Sequence, residues 1–173
     1  MRKTRVWIAM GCCLFAVALF AWAQANRKPG LWEMTTNMTW QQSPMPQGMT
    51  MPPGASSPFG GGPRTMQVCL TQAMIDKYGA PMPQSRNNEC QIANVVLKSN
   101  SMTADWICTG AMAGKGTLQS SWTDADHAKG KVHFAGTMQM GANSRPVEYT
   151  IESSSVYKGA DCGSVAPLPM PKN

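Results

Sequence analysis

Three methionines stand close together in a segment rich in proline and glycine, and they are the most unusual chemistry in the sequence. Met45, Met49 and Met51 follow the spacing M-x-x-x-M-x-M in a chain that contains fifteen methionines. Thioether sulfurs are soft donors that suit Cu(I), so this segment is a candidate trigonal copper site. Methionine also fills gaps in apolar cores, and the segment adds no cysteine or histidine. We therefore expect no resident metal or cofactor and keep Cu(I) binding as an alternative.

The cysteines indicate disulfide bonds rather than catalysis. Two of the six lie within the first 23 residues, and the other four are Cys69, Cys90, Cys108 and Cys162. Neither C-x-x-C nor C-x-x-C-H occurs, which argues against a redox motif, a zinc knuckle and a covalent haem. An even number of cysteines in an exported chain indicates two structural disulfides.

One cysteine pair is suggested by the hairpin around Ser99. If the turn is centred there, the facing pairs are Cys90 with Cys108, Ile92 with Trp106 and Val96 with Met102. Directly facing residues of a hairpin bring their Cβ atoms close enough for a disulfide. By elimination Cys69 pairs with Cys162 and closes a long loop, while two other connectivities stay open at this point.

The sequence contains no recognisable catalytic constellation. Of the two histidines, His127 falls in a predicted turn and His133 lies on a predicted strand, pointing away from its apolar face. No serine sits in a G-x-S-x-G elbow, and the α/β pattern that supports such an elbow is missing. We therefore expect the protein not to be an enzyme.

Large aromatic side chains are the remaining candidates for binding. Trp32, Trp106, Trp122 and Phe134 lie on the apolar faces of predicted strands and, inside a curled sheet, could line a cavity for a small hydrophobic ligand. The same side chains would equally fill a solid core, as they do in most small barrels.

Alternation of apolar and polar residues predicts the elements that position these side chains. Strand patterns cover residues 31–40 and 64–70 and five further segments after Cys90, and a short helix is predicted over 71–78, ended by Gly79 and Pro81. The predicted turns of the meander are 98–101, 110–116, 124–130 and 141–146. Because half of each strand is polar, the sheet must cover its apolar face. The fold class is therefore all-β with one short helix: a curved antiparallel meander, half barrel or small barrel.

The ends of the chain and one internal segment differ in composition from the rest. Residues 1–23 have a basic start, an apolar run and an A-x-A site, which predicts a Sec-type signal peptide cut after Ala23 or Ala25, with an uncleaved anchor as the alternative. A single β domain is predicted over 24–162, with a mobile Met-, Pro- and Gly-rich loop at 41–63 and a flexible tail at 163–173. We therefore expect the protein in the periplasm or outside the cell.

Charge excludes one large class of partner. The formal charge of +6 includes three leader cations, which leaves twelve Lys and Arg against nine Asp and Glu, a net of about +3. These cations are scattered and not interleaved with aromatic residues, so we expect no nucleic acid binding. Other partners are unknown, and a membrane is expected only through the leader if it is not cleaved.

Several short motifs together resemble a known family. They are Lys28-Pro29-Gly30-Leu31-Trp32-Glu33, Val68-Cys69-Leu70-Thr71, the isolated Cys90, Cys108-Thr109-Gly110 and Lys158-Gly159-Ala160-Asp161-Cys162. In this order, with the Met- and Pro-rich loop, they resemble the exported bacterial family called domain of unknown function 3617, over nearly the whole mature chain. The resemblance implies an exported protein of the cell envelope and carries over no catalytic residue. We expect a non-catalytic binding or structural module.

Overall fold

A computed structural model describes residues 27–45, 62–83 and 89–171. The predicted signal peptide, residues 1–23, lies outside these ranges. The elements are β1 (Gly30–Gln42), β2 (Arg64–Leu70), α1 (Gln72–Tyr78), β3 (Cys90–Leu97), β4 (Ser101–Thr109), β5 (Met112–Trp122), β6 (His127–Met140) and β7 (Asn143–Gly159). This confirms the all-β class with one short helix. Within the described ranges, no helix is long and apolar enough to cross a lipid bilayer.

The seven strands form one antiparallel sheet in the order β2-β1-β7-β6-β5-β4-β3. Strands β3 to β7 follow one another as a meander, while β1 pairs with β7 on one side and with β2 on the other. The sheet is open, with β2 and β3 as its edges, so the closed small barrel is not formed. A flat sheet of seven strands would be about 29 Å wide, yet side chains from both edge strands join one core cluster. The sheet therefore curves over its apolar face.

The apolar strand faces predicted from the alternation form this core. Its buried members on the meander are Ile92, Met102, Ala104, Trp106, Cys108, Leu118, Trp122, Phe134, Val147 and Tyr149. The intervening residues of each strand lie on the opposite, polar face, because successive side chains of a strand point to opposite sides. The sheet thus has one face committed to packing and one face free to contact solvent or a ligand.

Helix α1 packs on the apolar face and is delimited by its capping residues. The Thr71 hydroxyl accepts a hydrogen bond from the Met74 amide over 3.2 Å and caps the first turn. At the other end Gly79 has a φ of 71° and donates its amide to Ile75 O over 2.8 Å. The buried side chains of the helix are Met74, Ile75 and Tyr78. They extend the core beyond the area that the strands alone supply.

Two disulfides link distant parts of the chain. Cys90 and Cys108 are bonded and face each other in the ladder between β3 and β4, as the hairpin predicts. Cys69 is bonded to Cys162 with their Cα atoms 5.6 Å apart, which joins edge strand β2 to the segment that follows β7. Because such bonds persist in oxidising compartments, they fit a non-cytoplasmic protein.

A β-bulge shifts the register of β3 ahead of Val96. Asn94 has a φ of 51°, in the left-handed region that Asn tolerates better than most residues, and its Nδ2 donates to Asp105 Oδ2 over 2.7 Å. The extra residue places Leu97 rather than Val96 opposite Met102, so this part of the predicted register is wrong. Val96 is instead 50% exposed. A bulge on an edge strand also hinders pairing with a further strand.

Three of the predicted turns are too long. The chain reverses at 110–111, 123–126 and 141–142, whereas the composition predicts turns at 110–116, 124–130 and 141–146. Glycine, aspartate and proline residues near these reversals led to the prediction of long turns. The ladders β5–β6 and β6–β7 nevertheless continue through most of the predicted turn residues. The strands are therefore longer than their apolar patterns indicate.

Two glycines inside β5 have a packing reason to be there. A Cβ atom at Gly114 would lie close to the Ala135 carbonyl oxygen and 2.9 Å from Phe134 Cζ. One at Gly116 would lie 2.6 Å from the His133 carbonyl oxygen and 3.3 Å from Phe134 Cδ2. The Phe134 ring therefore lies against the backbone of β5, where any larger residue would push it away. Glycine in a strand interior often marks such a close approach.

The segments predicted to be mobile are only partly described. Gln41 and Gln42 belong to β1, so the loop predicted for 41–63 begins later than expected, and residues 46–61 lie outside the described ranges. In the predicted flexible tail, 163–173, the Leu168 amide donates to Cys69 O over 3.0 Å and its side chain packs against the core. The tail therefore has an attachment point on β2, and the predicted mobility of both segments stays a prediction.

A buried tyrosine should make the fold sensitive to alkali. Tyr149 is 3% exposed, stacks on Phe134 and donates its hydroxyl to Met112 Sδ. Burial raises its pKa well above the usual value of about 10. Between the unfolded and folded pKa values only the unfolded chain loses this proton, so the free energy of unfolding falls as pH rises above about 10.

The ionisation of Tyr149 should lower the free energy of unfolding by about 1.4 kcal/mol per pH unit above pH 10. We expect Tyr149→Phe to remove this contribution. Urea unfolding followed by circular dichroism at several pH values from 8 upward measures it. Tyr157→Phe, at a half-buried ring, is the control. Equal slopes for the wild type and Tyr149→Phe would contradict the assignment.

Candidate functional site

The four aromatic side chains proposed to line a hydrophobic cavity are all buried in the core. Trp106 contacts Phe134 edge to face, with ring centroids 5.7 Å apart, whereas Trp32 packs against Tyr157. The space beside Trp32 amounts to about 10 Å³, room for a single water. At these points the side chains fill the core themselves, and binding of a hydrophobic ligand stays a prediction.

The three methionines proposed as copper ligands are only partly described. Met45 is partly buried just beyond β1, and its amide donates a hydrogen bond to Ser43 Oγ over 3.2 Å. Met49 and Met51 lie outside the described residues. The Cu(I) site therefore stays a prediction.

Each histidine is paired with a carboxylate on the surface. His133 Nε2 lies 2.9 Å from Glu148 Oε1, and the two side chains are 45% and 40% exposed. His127 Nδ1 lies 3.0 Å from Asp124 Oδ1 in the turn before β6. Within the described part of the chain, neither ring is hydrogen-bonded to a serine hydroxyl. These pairs have the geometry of surface ion pairs, which contribute little stability.

A groove of about 620 Å³ crosses the polar face of the sheet. One of its walls is a row of directly facing residues from five neighbouring strands: Thr35, Ser154, Lys129, Ser121 and Ser101. Four hydroxyl groups and one ammonium group therefore stand side by side across the sheet. With strands about 4.8 Å apart, this row is about 19 Å long.

The opposite wall is the row two residues further along each strand. Its members are Asn37, Glu152, Lys131, Gln119 and Thr103. The two rows are about 7 Å apart along the strands. Lys131 Nζ lies 3.5 Å from Glu152 Oε1, so the charges of this wall compensate each other.

The floor of the groove is backbone. Met102, Ser120, Gly130 and Ser153 lie between the two rows, and the three side chains among them point to the other face. No aromatic side chain lines the groove, whose lining consists of described residues throughout. It offers hydrogen-bond donors and acceptors in two parallel rows, a surface suited to a polar, extended ligand.

A smaller concavity of about 110 Å³ adjoins the groove on the far side of the first row. Ser121, Lys129 and Ser154 line both spaces. The smaller space continues to His127 and Val156. Lys129 therefore stands on a ridge from which its flexible side chain can reach a ligand in either space.

The groove could not be predicted from the sequence. Alternation identifies which residues face away from the core, but it does not say which of them are neighbours across the sheet. The registers of two ladders align Lys129 with Ser121 and Ser154, and two further ladders add Thr35 and Ser101 to the row. A recurrence of Ser and Thr at the polar positions of several strands was the only signal available in the sequence.

These features define a disulfide-linked, open antiparallel β-sheet protein with one short helix and a polar groove. The chain belongs to the family described as Protein of unknown function (DUF3617), whose model matches residues 27–162. The match ends at Cys162, the second partner of the long-range disulfide, and it confirms the family suggested by the sequence motifs. No curated protein and no solved structure matches the chain significantly.

Proposed function

We propose that the protein is an exported, non-catalytic binding module of the bacterial cell envelope whose ligand lies in the polar groove. The observation that carries this proposal is the groove itself, about 620 Å³ and lined by two rows of polar side chains from five strands. Its volume falls within the range of about 300–1,000 Å³ typical of ligand sites. The apolar face offers no comparable argument, because its aromatic side chains pack against one another.

Export is supported by the predicted signal peptide and by the two disulfides. A non-catalytic role is supported by the surface positions of both histidines, each of which lies within about 3 Å of a surface carboxylate. An acid-base group in a solvated surface pair lacks the enclosed, water-free surroundings that strengthen catalytic interactions.

The proposal is tested by mapping ligand contacts on the folded protein. The full chain, expressed with its own leader and purified from the periplasmic fraction, is titrated with maltotetraose, tetragalacturonate and tetraalanine while backbone amide shifts are recorded. We expect at least one probe to shift the amides of the groove rows, Ser121 and Gln119 among them. No shift there with any probe would contradict the proposal.

A blocking substitution distinguishes the groove from the rest of the polar face. Gln119→Trp places a large side chain within the groove and should weaken binding of the active probe by about tenfold or more. Thr137→Trp, at an exposed position of the same face near the end of β6, should leave the affinity unchanged. Equal effects of both substitutions would show that the ligand lies elsewhere.

A further inference from the structure

We propose that Lys129, together with Ser121 and Ser154, is an oxyanion-binding centre, and that the ligand of the groove is a linear acidic oligosaccharide. This inference rests on the proposed function and adds the chemical class of the ligand. The juxtaposition that carries it is one ammonium group between two serine hydroxyls, at the ridge shared by two concavities.

Lys129 differs in its ionic contacts from three other lysines, of which Lys131 lines the same groove. Lys131, Lys28 and Lys158 each lie within 4 Å of a carboxylate oxygen, at 3.5, 2.8 and 2.9 Å. Lys129 has no such contact with any residue in the described ranges, although it is exposed on the same side of the sheet. Its charge is therefore available to an anion from solution.

The two serines flank this lysine directly. Ser154 on β7 and Ser121 on β5 are the facing partners of Lys129 on β6, so the three residues lie side by side about 4.8 Å apart. A hydroxyl group donates one hydrogen bond and an ammonium group donates three. On three adjacent strands these groups can donate to the oxygens of one carboxylate or phosphate, and hydrogen bonds to such charged oxygens are the strong ones.

The shape and lining of the groove identify the rest of the ligand. A groove about 19 Å long suits a linear molecule better than a compact one. Its walls carry hydroxyl, amide and charged groups and no aromatic ring, while the carbon atoms of the lining residues form most of its exposed surface. The hydroxyl groups of an oligosaccharide can form hydrogen bonds with the groove along its length, and an acidic group of the oligosaccharide can pair with Lys129.

Binding of tetragalacturonate and of neutral maltotetraose to the periplasm-purified protein tests this inference. We expect the acidic probe to bind more tightly and to lose affinity as salt concentration rises, because salt screens an exposed charge. Lys129→Met keeps the aliphatic stem and should reduce tetragalacturonate affinity about tenfold. It should reduce the weaker maltotetraose affinity much less, because a neutral sugar offers the ammonium group no charged oxygen.

Lys115→Met is the matched control, because Lys115 is exposed on the same face of β5 but outside the groove. It should change the affinity for tetragalacturonate less than about twofold. Lys129→Arg, which keeps the charge, should retain most of the binding.

Two results would overturn the inference while leaving the proposed function standing. One is equal binding of both oligosaccharides in the groove, with Lys129→Met having no effect. The other is binding of tetraalanine alone at the groove amides. If equal losses followed Lys129→Met and Lys115→Met, the acidic probe would be responding to overall charge, and the oxyanion centre would be excluded.

Discussion

Replacing Cys69 and Cys162 together by alanine is expected to lower the free energy of unfolding by about 4.6 kcal/mol. The disulfide spans 93 residues, and in the chain-entropy model a bond that closes a longer loop restricts the unfolded chain more. In the folded protein the bond ties the edge strand β2 to the segment after β7. Guanidinium unfolding followed by tryptophan fluorescence measures the loss.

The second disulfide provides the matched comparison. Cys90 and Cys108 are only 18 residues apart, so Cys90→Ala with Cys108→Ala should cost about 3.2 kcal/mol. Each pair consists of one buried and one partly buried cysteine, which leaves loop length as the main difference between the two double variants. If the loss from the shorter loop equalled or exceeded that from the longer one, chain entropy would not be the dominant contribution.

Local patterns in the sequence were sufficient for much of this fold. The strand predicted over 64–70 matches β2 at both ends, and the helix predicted over 71–78 differs from α1 by one residue at its start. The pairing of Cys90 with Cys108 followed from the turn at Ser99. Each of these predictions depends on residues that are neighbours in the chain or in one hairpin.

The predictions that were wrong share a physical cause. In each case the local structure is decided by a contact with a residue on another strand. Asn94 forms a bulge because its amide reaches Asp105 on β4, and nothing near Asn94 in the chain reveals this. Gly114 and Gly116 look like turn residues until the ring of Phe134 is placed against them. Propensity is a weaker signal than such tertiary contacts in a sheet.

The candidate site could not be predicted from the sequence for the same reason, because it depends on contacts between strands. The large aromatic residues were predicted to line a ligand cavity, but in the curved sheet they pack against one another in the hydrophobic core. The groove instead depends on where Lys129 and Lys131 fall relative to β5 and β7. A one-residue shift of the register in either ladder would move the polar side chains of one strand to the other face of the sheet. Both rows would then be interrupted.

Truncating Phe134 to alanine is expected to destabilise the fold by about 3 to 5 kcal/mol. The ring is fully buried, stacks on Tyr149 with centroids 5.3 Å apart and meets Trp106 edge to face. Its removal leaves a cavity between β4, β5 and β7, and the glycines of β5 have no side chains that could fill it. Urea unfolding of the variant and the wild type measures the difference.

Two further variants keep this prediction testable if Phe134→Ala does not fold. Phe134→Leu keeps part of the volume and should cost less than Phe134→Ala. Gly116→Ala should also destabilise, because its Cβ atom would lie 2.6 Å from the His133 carbonyl oxygen and the ladder between β5 and β6 would have to shift. Val132→Ala, on the same face of β6 but only partly buried, should cost less than either substitution of Phe134. If Val132→Ala proved as costly as Phe134→Ala, the central position of the ring in the core would be refuted, and with it the explanation for the glycines of β5.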